Sequence, residues 1–78
     1  MGKQKIKQDS IHIGKNIRAL RLKKKMKQTE LVAELDRLNV CMTREALVKI
    51  ERETQHIYAE QLRGIKNALG VTYDDLLQ

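Results

Sequence analysis

The sequence predicts an all-α chain, a compact set of five short helices, and three observations carry that prediction. Leu and Ile recur at three- and four-residue spacing along most of its 78 residues. Pro is absent and Gly occurs four times, so little in the chain interrupts a helix. Phe and Trp are both missing, which leaves Leu, Ile, Val, Met and Ala to fill the core and suits helices better than a β-sandwich. The length allows one domain with a small core. Residues 1–10 read as a basic N-terminal arm and residues 11–78 as the helical domain.

The helices are expected at about 11–25, 28–38, 43–53, 59–69 and 73–77. Asp9 or Ser10 can cap the first, and Ile13, Ile17 and Leu20 then form its apolar stripe. Gly14 lies inside it, where a small residue permits close helix contact. Lys23, Lys24 and Lys25 end it with cations at the negative pole of the helix dipole. In the second helix Leu31, Leu35 and Leu38 fall at i, i+4 and i+7, one buried stripe. Asn39 is its stop, because Asn tolerates the left-handed conformation. Val40, Cys41 and Met42 make a short apolar connection, with Cys41 expected as a small packed residue rather than a nucleophile or ligand.

Thr43 can cap the third helix, with Ala46, Leu47 and Ile50 facing inward. Arg44, Glu45, Val48, Lys49 and Arg52 then share the opposite face. Val48 there either contacts a thymine methyl or borders the core. Leu62, Ile65 and Leu69 stripe the fourth helix, and Gly70 ends it. Thr72 caps the fifth, with Asp75 three residues on as a capping-box variant. Val71, Tyr73, Leu76 and Leu77 crowd the end of the chain, where some complete the core and the rest can form a dimer patch.

The charge is unevenly placed. Residues 1–27 carry ten Lys or Arg and one acid, whereas residues 28–78 carry six basic and nine acidic residues, within a net charge of +6. A basic end on a small domain attracts polyanions. Lys3, Lys5 and Lys7 are either part of that attraction or a solvated tail. No apolar run approaches the roughly 20 residues that span a bilayer, and MGKQKIKQDS is too polar for a signal peptide. With one Cys there is no internal disulfide, and a cytoplasmic protein of a bacterium or phage is expected.

The motifs in order resemble the phage-repressor-like, XRE-type (Cro/cI-type) helix-turn-helix family over residues 11–77. The matching landmarks are IGKNIRALR in the first helix, Gln28 opening the second, KIE at Lys49–Glu51, and ALGVTYDDLL at the end. The resemblance implies a five-helix repressor-like domain whose second and third helices form the DNA-reading unit. It implies that Gln28 grips a phosphate with side chain and amide, and that Arg44, Glu45 and Lys49 reach base edges. It also implies an Arg21–Glu51 pair, read here as fold support. The stretch from Gln28 to Glu51 is about five residues longer than in the simplest members and looks like a longer-turn variant. Lys27 stands where Ser or Thr usually caps, Val32 where Ala is usual, and Glu53 where Gly commonly follows the third helix.

On this reading the third helix enters the major groove. Arg44 can donate twice to guanine, Glu45 can accept from cytosine, and Lys49 and Val48 complete the base-contacting set. Gln28, Thr29, Thr43, Lys27, Arg52 and Arg18 are the phosphate candidates, with Lys25 beside them. The partners expected are operator duplex DNA and a second copy, through Val71, Tyr73, Leu76 and Leu77. No cofactor, metal, small-molecule ligand or membrane is expected, and the function is a transcriptional regulator, a repressor.

Enzymatic chemistry has no support in these residues. Ser10 is the only Ser, His12 and His56 are isolated surface or boundary residues, and no Cys/His set has metal-ligand spacing. No Gly-rich phosphate loop exists. The competing reading is a protein-interaction module, an antitoxin or adaptor on the same fold. Near absence of aromatics argues against single-strand stacking.

Overall fold

Helix stop signals set the architecture. The computed structural model describes the backbone of residues 5–6 and residues 11–78 in full. Its elements run β1 (Lys5–Ile6), α1 (Ile13–Lys23), α2 (Gln28–Arg37), α3 (Arg44–Glu51), β2 (Ile57–Tyr58), α4 (Ala59–Leu69) and α5 (Tyr73–Leu76). The four longer helices end alike. Within two residues of the helix end the chain turns left-handed, at Lys25 (φ 56°), Asn39 (65°), Glu53 (62°) or Gly70 (66°). The amide one residue later then bonds a carbonyl five back: Met26 to Arg21, Val40 to Leu35, Thr54 to Lys49 and Val71 to Lys66. This is the Schellman ending, which satisfies carbonyls the helix leaves free.

The five helices expected are present, and α2 and α4 lie within a residue of their expected bounds. Two others are shorter than expected. The first begins at Ile13 rather than 11, with His12 as N-cap and no side-chain cap bond; Asp9 and Ser10 lie outside the described residues. The third starts after Thr43, whose Oγ1 accepts from the Ala46 amide at 3.0 Å, and stops at Glu51 because Glu53 has left the helical region. The all-α expectation needs one addition. The arm is not wholly separate, because Lys5 pairs with Tyr58 and Ile6 with Ile57 in an antiparallel ladder. Two residues are too few for an alternating pattern to show in a sequence.

The core comprises Ile13, Ile17, Leu31, Leu35, Met42, Leu47, Ile50, Ile57, Leu62, Ile65, Leu69 and Leu76. It sits where α1 packs on α3, α4 and α5 while α2 packs on α3 and α4. Each fully buried Leu or Ile contributes about 1.5–3 kcal/mol, so a dozen can hold a small domain without an aromatic anchor. Leu38, expected in the buried stripe, is half-buried at the C-cap. Cys41 is exposed, not packed. The 40–42 connection is outside any helix. Val40 packs against the core edge, Met42 enters it, and Cys41 between them points out.

Candidate nucleic-acid interface

The site is built on three helix segments, and α3 supplies its centre. Leu47, Ile50 and Glu51 are buried, so Arg44, Glu45, Val48, Lys49 and Arg52 form the outward strip. Arg44 is the first residue of α3, fixed by the Thr43 cap, and Val48 lies one turn further on. The N-terminus of α2 opens nearby, where the Glu30 carboxylate reaches back to accept from the Lys27 amide at 2.8 Å. That bond is the returning half of a capping box; the other half is missing, since Lys27 has no side-chain acceptor to offer the Glu30 amide.

Beneath these residues lies a charged floor. Arg21 Nε donates to Glu51 Oε2 at 2.8 Å, and a terminal guanidinium nitrogen donates to Oε1 at 2.9 Å. The other terminal nitrogen donates to the Met26 carbonyl at 2.9 Å. Both side chains are nearly enclosed, at 7% and 2% exposure. Bidentate geometry and a third acceptor allow such a pair to stay charged in the interior. Gln28 Nε2 also donates to Glu51 Oε1, at 3.1 Å. The Gln28 side chain, expected to grip a phosphate, is therefore tied inward in the free protein. The reason is that Glu51 retains acceptor capacity after binding Arg21.

Above the floor is a cleft of about 820 Å³ lined by Arg18, Arg21, Lys27, Gln28, Thr29, Arg44, Val48, Glu51 and Arg52. It joins one face of α1 to the N-terminal turn of α2 and to the length of α3, from Arg44 to Arg52 at its C-cap. Arg21 is neutralised by Glu51. The other four cations, Arg18, Lys27, Arg44 and Arg52, are exposed and have no carboxylate partner among the described residues. Like charges left together without a counter-ion are costly to the free protein and attract a polyanion from solution.

Seven of the eleven residues expected at a nucleic-acid surface thus converge on one cleft, and exposed Lys25 is not among them. Glu45 and Lys49 do not line it; they stand beside it on the exposed strip of α3. Thr43 lines a separate groove of about 450 Å³ with Thr29, Val32, Ala33, Asp36, Cys41 and Met42. The expected dimer patch divides. Leu76 is wholly buried and Val71 packs on the core, because the short α5 folds back against α1. Asn16 Nδ2 fixes that fold-back by donating to the carbonyls of Leu76 (2.8 Å) and Gln78 (2.9 Å). Tyr73 and Leu77 remain exposed, at 39% and 37%.

One functional neighbour was not visible in the sequence. Glu53, just past α3, reaches the start of α1: Oε1 lies 3.1 Å from His12 Nδ1, and Oε2 accepts from the Lys15 amide at 3.4 Å. Burial works to raise the Glu53 pKa, but the hydrogen bonds from His12 and the Lys15 amide, with the nearby charges of those residues, hold it below the usual Glu value. The only signal was a Glu where a Gly is usual, which does not by itself name a partner 38 residues away.

Among the described residues no group of three His, Cys, Asp or Glu is placed to hold a metal, and no helix is long and apolar enough to cross a membrane. No protein-family profile, curated protein or solved structure matches this chain.

Proposed function

We propose that this protein binds double-stranded DNA and regulates transcription, as a repressor, with α3 reading bases in the major groove. The observation that carries the reading is the cleft: Arg18 of α1, Lys27 at the N-cap of α2, and Arg44 and Arg52 at the two ends of α3, none with a carboxylate partner among the described residues, line it together with Val48. Arg44, in the first turn, is suited to paired hydrogen bonds with a guanine, and half-buried Val48 offers a methyl face to thymine. Glu45 and Lys49, one position round the helix, extend the readout to neighbouring bases. Arg18, Lys27 and Arg52 hold phosphates and set register, with Thr29 and Thr43 at the helix starts. A repressor of this size acts as a homodimer on a two-fold operator, its half-sites about 34 Å apart. Exposed Tyr73 and Leu77 are the residues offered to the second copy.

The test is selection of bound duplexes from a random pool at about physiological salt, with Arg44→Ala in parallel. An enriched two-fold motif is expected, and Arg44→Ala should lose about 1–3 kcal/mol on it and blur one position. A folded protein that enriches nothing would end this reading and favour a protein partner.

A further inference from the structure

We infer that Glu53 is a positioning residue for α3: from the left-handed end of that helix it caps the start of α1 and fixes the angle at which α3 is presented. The inference rests on the proposed DNA reading for its consequence, but the geometry stands apart from it.

The first turn of α1 has amides that no helix carbonyl can reach. His12 at its N-cap makes no side-chain cap bond, and no acid lies in its first turn. The Glu53 carboxylate supplies the missing acceptor at the Lys15 amide and also meets His12. The side chain is only 16% exposed while its His12 partner is 54% exposed, so Glu53 is held against α1 rather than lying over it loosely. It holds this place from φ 62°, a conformation that L side chains seldom adopt without support from their surroundings. Gly14 makes the approach possible, since a Cβ there would run into the Ile50 carbonyl and the Glu53 side chain.

The end of α3 is therefore fastened to α1 at two places. Glu51 is held by Arg21, and Glu53 is held by the His12–Lys15 turn. Lys15 and Arg21 are six residues apart, about 9 Å along the axis of α1. One fastening sets a distance; two set a direction. Without Glu53, the Arg21–Glu51 pair is the remaining side-chain link between the end of α3 and α1, and α3 is freer to tilt within its apolar packing. Arg44 lies at the far end of α3, about 10 Å from Glu51. A swing of about 10° would move it by nearly 2 Å, beyond the tolerance of a base-reading hydrogen bond.

The experiment compares wild type, Glu53→Gly and Glu53→Gln. Gly suits the left-handed backbone and removes the cap; Gln keeps one acceptor oxygen. The probes are the duplex enriched by wild type and a scrambled duplex of the same composition. Glu53→Gly is expected to lower the preference for the enriched duplex roughly tenfold, with nonspecific binding unchanged, and Glu53→Gln to restore most of it. An unchanged preference in folded Glu53→Gly would overturn the inference and leave Glu53 a structural cap. Residual dipolar couplings of the free proteins decide the matter without DNA. A change of about 10° or more in the α1–α3 angle in Glu53→Gly supports it, and an unchanged angle overturns it. If wild type enriches no duplex, the DNA reading fails while the measured angle still judges the positioning role.

Discussion

The chain leaves a helix in the same way after α3 and after α4, yet the two endings are held by different things. At Gly70 the left-handed turn is local: no Cβ opposes it, and a Cβ there would meet nothing within 4 Å. At Glu53 the same φ carries a full side chain, and that side chain is held by contacts with the start of α1. The first ending would form in an isolated helix. The second has the same local closing bonds and is reinforced by α1, which lies beside it. A local stop terminates a helix, whereas a tertiary stop also aims it.

Substitutions can break or sharpen that contrast. The largest effect is expected from Gly14→Ala, which sets a methyl against the Ile50 carbonyl and Glu53 and forces α1 from α3. Chemical unfolding should show a loss of about 3 kcal/mol. A loss under about 0.5 kcal/mol would mean the α1–α3 contact is slack. Gly70→Ala meets open space, so its cost is backbone strain alone, about 1 kcal/mol by the same measurement. A much larger loss would show that Gly70 is also packed.

Lys25 and Glu53 share their φ region, but Lys25 is exposed and has no side-chain partner among the described residues. Lys25→Gly should therefore stabilise slightly, on the order of 0.5 kcal/mol, because strain relief exceeds the added entropy of the unfolded chain. Destabilisation there would place Lys25 with Glu53 as a tertiary stop. The smallest effect is in pH. The pKa of Glu53 is held down in the fold, so its contribution is complete above the ordinary Glu value, about 4.3, and disappears as acid takes the pH through the lowered value. The melting-temperature gap between wild type and Glu53→Gln should narrow from neutral pH to about pH 3. A constant gap would remove the charge from the account of this cap.

How much of this was legible beforehand follows from the same distinction. The stops at Asn39 and Gly70 were readable because those residues favour left-handed backbone by themselves. The left-handed turns at Lys25 and Glu53 were not, although the helices were expected to end there, because neither residue prefers that backbone. The caps at Thr43 and Thr72 were legible as short-range bonds, at 3.0 Å to Ala46 and 3.1 Å to Asp75. Ile57 was missed as a core residue because a lone apolar side chain outside a helix has no period to announce it. Leu76 was offered to a partner, although the fold turns it onto α1, and periodicity does not say which of two adjacent Leu residues goes inward in a four-residue helix.

For the candidate site, the sequence alone determined which residues share the outer face of α3, because burial of Leu47 and Ile50 at 3.6-residue spacing leaves Arg44, Val48 and Arg52 outside. It also determined the surplus of cations in the first third of the chain. Tertiary structure decided that Arg18 from α1 and Lys27 from α2 meet Arg44 and Arg52 across one cleft, that Gln28 is drawn down to Glu51, and that Glu53 closes back on His12 and Lys15. Those outcomes depend on helices packing across large separations in sequence, and such contacts carry no local pattern: a helix knows its own faces, but not which neighbour will meet them.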